Sequence, residues 1–357
     1  MTTLTQGHSA EEIRHGLPIE YDLPIATRPD IPDMRDGINI WFFEENGEFG
    51  VPRLAIDAVG DSWDAAGIGC NIVFPDGRVL EGDKSVPAIS PLDDEGKPTI
   101  RGSTALRFRC IEPFRKWHMS YDDEIVDTTI DDQIACEIDR TKTARIRIEI
   151  DIEYRIPVWA QIFADDDDSL IAGWMGRGWR YETPVLVSGT FEIDGKQRAF
   201  RGTGNLIRRK SRRSTYLDFP GHVWHSAIFP DGRAFGLNVY PPKDGVLYYN
   251  TGFIYKDGTY HDAKVVEVQW LGELAKDGDD CSIVLESALG RTHITGVSLL
   301  STYKPSNRNG SMGGLNLHQG GVRFTWDDQT AIGVVERSSF VPAPSDASAA
   351  WTRSVSD

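Results

Sequence analysis

An all-β fold of two antiparallel β-barrel or sandwich domains in tandem is the architecture this sequence predicts. Its 357 residues include 35 Gly and 19 Pro, a composition that suits short strands joined by tight turns better than helical bundles. Asp-Gly pairs punctuate the second half at 194–195, 231–232, 244–245, 257–258 and 277–278, the spacing of an antiparallel meander that closes into a barrel or folds as a sandwich. The pentapeptide Phe-Pro-Asp-Gly-Arg occurs twice, at 74–78 and 229–233, each copy preceded by an apolar β-branched run. The offset is close to half the chain, which points to two related halves. The length also exceeds what one hydrophobic core usually serves.

Charge and cysteine usage exclude several function classes. The formal net charge is −16, whereas nucleic acids and anionic membranes select a basic face. Neither is therefore expected as a partner. Cys70, Cys110, Cys136 and Cys281 lie far apart without a C-x-x-C pair, so no zinc site and no redox motif is indicated. Cys70 shares strand parity with Ile68, Ile72 and Phe74, as a buried thiol would. The segment 1–18 has no apolar leader, and no run approaches the ~18 apolar residues of a membrane span. A cytoplasmic protein is expected, and a homodimer is compatible with the sequence.

The elements follow in order. Residues 1–34 form a lead in which Ser9-Ala-Glu-Glu12 is a capping box opening a short helix that Gly16 can stop. The first domain is expected over 35–172. Its first strand, Ile38 to Phe43, ends near the Asn46-Gly47 turn, with Trp41 and Phe43 on one face and Ile40, Phe42 and Glu44 on the other. A strand apolar on both faces is sandwiched or lines a cavity. Short strands continue to the first pentapeptide, and 83–98 reads as a loop. Between Arg145 and Tyr154 every second residue is Ile or Tyr and the rest are charged, giving one core face and one solvated face. The four-aspartate run Asp165 to Asp168 lacks the alternation and central Gly of a calcium loop and reads as a linker. The second domain is expected over 173–341, followed by a disordered Ala-, Ser- and Pro-rich tail at 342–357.

Candidate chemistry lies around the second pentapeptide. Strand alternation puts His222, Trp224, Ser226 and Ile228 on one face, and Val223, His225, Ala227 and Phe229 on the other. A His beside a Trp in an apolar pocket can move a proton while the indole face stabilises a cation; the plainer alternative is a satisfied core or rim histidine. Arg208-Arg-Lys-Ser-Arg-Arg213 places five cations in six positions of an acidic chain. They form either a solvated strand end paired with acidic side chains or a receptor for an anionic group. No nucleophile elbow, P-loop or H-E-x-x-H motif occurs, and Gly202-Thr-Gly204 lacks the third glycine of a dinucleotide fingerprint. A site without metal or cofactor is expected.

Trp41-Phe-Phe43, Glu112-Pro113, Trp117-x-x-x-Tyr121-Asp122, Trp179-Arg-Tyr-Glu182, Val187-x-Gly-x-Phe-x-Ile-Asp-Gly195 and Gly202-Thr-Gly204, in this order, resemble the tandem lipocalin-like (calycin) proteins. These include the hydroxyneurosporene synthase or carotenoid 1,2-hydratase family and the lipocalin-like Diels–Alderases. The likeness covers most of residues 35–340. It implies two β-barrel-like domains with an apolar ligand in or between them, and either activity on isoprenoid or polyketide-like substrates, by water addition to a double bond or cyclisation, or no catalysis at all. The hydratase branch carries Asp-His-x-Trp-Gly after the Gly-x-Gly segment. Here Asn205-Leu-Ile-Arg-Arg-Lys stands in its place, and His222-x-Trp224 belongs to the following strand.

The leading expectation is a cofactor-independent lyase or hydratase, isomerase or cyclase acting on a terpenoid or polyketide-like molecule in a barrel cavity. His222 would move the proton and Trp224 would stabilise positive charge. Trp41, Phe43, Trp63 and Tyr240 would wall the cavity, and Arg208 and Arg212 would meet an anionic group. A non-catalytic carrier of an apolar ligand is the alternative, and an interaction module docking through residues 208–213 is a third reading.

Overall fold

Period-two alternation and left-handed turn residues set the strand boundaries. In the computed structural model residues 8–212, 215, 218–242, 249–304 and 315–340 are described. The Asp244-Gly245 turn, Arg213 and the tail 342–357 lie outside them. After the short helix α1 (Ala10–Arg14) come β1 (Met34–Glu44), β2 (Gly50–Val59), β3 (Ala65–Val73), β4 (Arg78–Pro87), β5 (Ile100–Gly102), β6 (Leu106–Glu112) and β7 (Lys116–Thr129). Helix α2 (Ile130–Ala135) leads to β8 (Thr143–Tyr154) and β9 (Trp159–Phe163), and α3 (Leu170–Met175) to β10 (Gly178–Ile193) and β11 (Lys196–Arg212). The second part of the chain supplies β12 (His222–Ile228), β13 (Ala234–Val239), β14 (Asn250–Lys256), β15 (Thr259–Val268), β16 (Ile283–Ser287), β17 (Gly290–Lys304), β18 (Asn316–Trp326) and β19 (Gln329–Ser339).

Local chemistry accounts for the connections. Ser9 and Glu12 form the reciprocal capping box of α1. The pairs Asp194-Gly195 and Asp257-Gly258 hold consecutive positive φ angles, 50° and 78°, then 52° and 78°, as hairpins joined by mirror-image turns require. Both pentapeptides close hairpins with the same two bonds. Phe74 N–H donates to Arg78 O (3.1 Å) and Gly77 N–H to Phe74 O (3.1 Å); the equivalents at Phe229 and Gly232 measure 2.8 and 2.9 Å.

The strands make two antiparallel bodies. Strands β12 to β19 form a closed barrel, and β1 to β11 form an eleven-stranded sheet. That sheet also turns back on itself. Pairing of β4 with β7 completes a ring through β3, β2, β1, β11, β10 and β8, which gives each of these eight strands two partners within the ring and leaves β5 and β9 as short edges. Ile38, Ile40, Phe42, Leu54, Ile56, Ile148 and Leu206 fill this first ring; Val223, Phe235, Leu237, Val322, Phe324 and Val335 fill the second. Each lumen is thus a packed core. Among the described residues no helix is long and apolar enough to cross a membrane.

Two expectations are corrected. The chain changes sheet between Arg212 and His222, so β10 and β11, which follow the expected division at 172/173, pair with β1, β8 and β9. Strand β4 pairs with β3 as far as Pro87, so the expected loop at 83–98 begins later. The basic run forms the end of β11, whose last residues through Arg212 lie between β1 and β10, and Arg208 and Arg212 pair there with Asp36 and Asp33.

The two bodies meet side by side. Trp41, Phe43, Ile207, Trp224, Leu300, Ile332 and Val334 form one apolar cluster between them. Polar contacts flank it: Asn71 donates to Gln319 (3.1 Å) and Ser226 to Asn205 (3.2 Å). The buried Gln133 of α2 donates to Glu81 at 2.8 Å and accepts from Thr302 Oγ1 at 2.9 Å. A cavity remains at one end of this contact.

Candidate functional site: a cavity between two barrels

Strand parity decides what faces the cavity. On β1 the side chains of Ile38, Ile40 and Phe42 enter the first lumen, so Arg35, Asn39 and Trp41 face the second barrel. On β11 the same rule sends Leu206 and Arg208 inward, and Ile207 and Arg209 outward. From the second barrel, β12 turns Val223 and Ala227 into its own lumen and presents His222 and Trp224. The cavity encloses about 130 Å³, and its lining includes Trp41, Trp174, Phe219, His222, Trp224, Tyr240, Leu317 and Glu336, with Arg35, Arg53, Arg180 and Arg209.

His222 is held at both ring nitrogens. Nδ1 lies 2.6 Å from Ser338 Oγ, and Nε2 lies 3.1 Å from Glu336 Oε1. Its side chain is 12% exposed. Burial works against the Glu336 charge, but the bond and charge of His222, the Arg53 charge and the bond from Gln319 hold its carboxyl at about 2, against an ordinary 4.5. Glu336 is thus an ionised acceptor at neutral pH. Trp224 donates its indole N–H to Glu182 Oε2 at 2.6 Å, and its ring tilts 52° against Trp41 at a centroid distance of 4.8 Å. Glu182 also accepts from Arg180 (2.9 Å) and Asn205 (3.2 Å), so this buried carboxylate is well satisfied.

Of the residues selected from sequence, His222, Trp224, Trp41 and Tyr240 share the cavity. Four others lie elsewhere. Phe43 is fully buried in the apolar contact between the barrels, against Gly50 and Gly321. Trp63 follows β2 in a single helical turn and lies under the Arg101 guanidinium, 4.7 Å from its ring centroid. Arg208 has the wrong parity: it is buried in the first barrel, donating to Asp36 Oδ1 (2.8 Å), Gly37 O (2.9 Å) and Asp22 O (3.2 Å). Arg212 is partly exposed and pairs with Asp33 at 2.9 Å. Lys210, on the same face as Arg208, is pushed down to about 8 by burial and then by Arg208. The cavity also lies between the barrels and not inside one.

Glu336 and Ser338 escape sequence reasoning because β19 lies 114 and 116 residues from His222; the one local signal is the polar turn Glu336-Arg-Ser-Ser339 takes at the end of an apolar strand. A second buried group lies inside the β12–β19 barrel. His318 accepts from Arg337 at 3.2 and 3.1 Å and stacks on Tyr303 at 4.9 Å, and Arg337 pairs with Asp279 at 2.9 Å. Among the described residues no group of three or more His, Cys, Asp or Glu side chains is placed to hold a metal ion.

Fold and cavity together define a double lipocalin-like β-barrel protein with a cavity of about 130 Å³ between the barrels. The chain belongs to the family of the domain of unknown function DUF7064, whose model matches residues 29–341. No curated protein matches the sequence significantly. Among solved structures, an AttH-like protein from Nitrosomonas europaea superposes with a TM-score of 0.57 at 15% identity, covering 88% of this chain and 98% of that one. CghA in complex with Sch210972 superposes at 0.53 with 14% identity, covering 90% and 96%. Kievitone hydratase from Nectria haematococca superposes at 0.51 with 8% identity, covering 90% and 94%. At these identities the likeness is one of fold.

Proposed function

We propose that the protein is a cofactor-independent enzyme that moves a proton on a hydrophobic small molecule, of terpenoid or polyketide-like character, held between its two barrels. The observation that carries this reading is His222 fixed in the cavity wall between Ser338 and the ionised Glu336, beside the paired rings of Trp224 and Trp41. A protonated His222 would give its proton to an alkene carbon as the π pair forms the new C–H bond. The cation left on the neighbouring carbon would lie against the indole faces. Capture by water gives hydration, loss of a different proton gives isomerisation, and attack by an internal double bond gives cyclisation. Glu336 orients the imidazole and offsets its charge, the role a carboxylate plays beside a catalytic histidine. A hydratase and a ligand complex among proteins of this fold are compatible with such chemistry. The four thiols, none in a disulfide, suit a cytoplasmic setting.

One feature favours the carrier reading. Both ring nitrogens of His222 already have protein partners, so proton transfer requires the ring to leave Ser338. Ligands released from freshly purified wild type and His222→Gln, compared by mass and retention time, separate the two. Catalysis predicts different compounds, related by water or by isomerisation. The same compound from both proteins would leave a carrier.

A further inference from the structure

A ligand in this cavity must also be oriented, and the polar side of the wall is built for it. Arg35, Arg53, Arg180 and Arg209 line it together with a single carboxylate, Glu336, in a chain of net charge −16. Behind them Arg35 grips Asp57 in a two-pronged bond of 2.8 and 2.7 Å. Burial opposes that charge, yet Arg35, Arg209 and Arg53 hold the Asp57 carboxyl below its ordinary range. Gly37 permits the crowding: a Cβ there would lie 2.0 Å from Asp57 Oδ1 and 3.3 Å from Arg209 Cγ.

Next to this cluster, three residues that line the cavity each carry a buried N–H with no partner among the described residues: Asn39 at Nδ2, Trp41 at Nε1 and Arg53 at Nε. Asn39 and Trp41 are each 3% exposed. They lie on one face of β1, with Asn39 opposite Ala55 of β2. Buried donors left unmade are costly, and donors gathered under a positive field are what a carboxylate accepts from. A purely hydrocarbon ligand would satisfy none of them.

We infer that the cavity takes an amphiphilic acid: its carboxylate accepts from Arg53, Asn39 and Trp41 under the field of Arg35 and Arg209, and its apolar body lies against Trp224, Tyr240 and Leu317. This rests on reading the cavity as a ligand site, and it names the substrate class. The enclosed space of about 130 Å³ takes roughly one aromatic ring, so a one-ring acid is the suitable probe, and a terpenoid- or polyketide-sized body would extend from it through the cavity's open side.

Calorimetric titration with cinnamate and with its neutral isostere cinnamamide tests the assignment on the intact chain. Wild type is expected to bind cinnamate at least about tenfold more tightly than the amide. Arg53→Met is expected to weaken cinnamate by roughly thirtyfold and to leave the amide within about twofold. Asn39→Ala, which keeps every charge, provides the same test if Arg53→Met does not fold; its expected loss for the acid is about tenfold. Equal affinity for acid and amide in wild type, an unchanged preference in the variants, or no cinnamate binding below about 1 mM would overturn the inference. His222→Gln is expected to keep the preference for the acid, so failure of the catalytic reading and failure of this one show in different measurements.

Discussion

At the scale of single residues, the Glu336–His222 contact has a consequence that can be measured by stability alone. A carboxyl held at about 2 when its ordinary value is 4.5 contributes its full stabilisation above that ordinary value, and loses it as pH falls from 4.5 towards 2. At neutral pH the difference corresponds to roughly 3 kcal/mol. Glu336→Gln should therefore be less stable than wild type at pH 7, and the gap between their urea midpoints should close on acidification through that window. A gap of constant size would show that the pair does not hold the carboxylate. Residue parity also sorts the basic run. It was read either as a strand end paired with acidic side chains or as a receptor offering Arg208 and Arg212 to an anionic group; in a strand neighbouring residues face opposite sides, so Arg208 pairs inside with Asp36 and the cavity receives Arg209. Nothing in the run itself states which parity faces out, because cations occupy both.

At the scale of elements, the central pairing of β1 with β11 depends on the absence of two side chains. A Cβ at Gly202 would lie 1.9 Å from Phe43 O, and one at Gly204 would lie 2.0 Å from Trp41 O. The Gly202-Thr-Gly204 segment, which lacks the third glycine of a nucleotide fingerprint, is a close approach between strands. Gly204→Ala should cost at least about 3 kcal/mol, since the colliding atom is backbone. Gly195→Ala, at a positive-φ turn with no atom within 4 Å of the added Cβ, should cost about 1 to 2 kcal/mol. Thermal melts of the two variants give the comparison; equal losses would contradict the close approach. The strands themselves were largely legible. The run Arg145 to Tyr154 became β8 with its Ile side chains inside, and both pentapeptides became hairpin turns of the same hydrogen bonding, because these signals depend on near neighbours in sequence.

For the whole molecule, the contact between the barrels is an internal core in its own right. Trp41, Phe43, Trp224 and Leu300 are buried there, and Gln133 bridges the bodies through Glu81 and Thr302. Contacts of this hydrophobic kind couple the stabilities of the units they join. Calorimetry should show one unfolding transition for the intact chain. Two resolved transitions, with the cavity variants affecting only one, would mean that the barrels melt independently. The cavity belongs to this scale too: its walls come from β1, β2, α3, β10 and β11 on one side and from Phe219, β12, β13, β18 and β19 on the other.

Composition, turn chemistry and alternation were enough to specify an all-β chain in two parts, barrel or sandwich, and to bring His222 and Trp224 to one face of one strand. These are short-range properties, settled within a few residues of backbone geometry. Three things needed the folded chain. They are the change of sheet after Arg212, the meeting of His222 with Glu336 across 114 residues, and the placing of the cavity between the barrels. Each depends on strand register and on which outer faces pack together. Those choices are made by the burial of side chains remote in sequence, so no local stretch carries them.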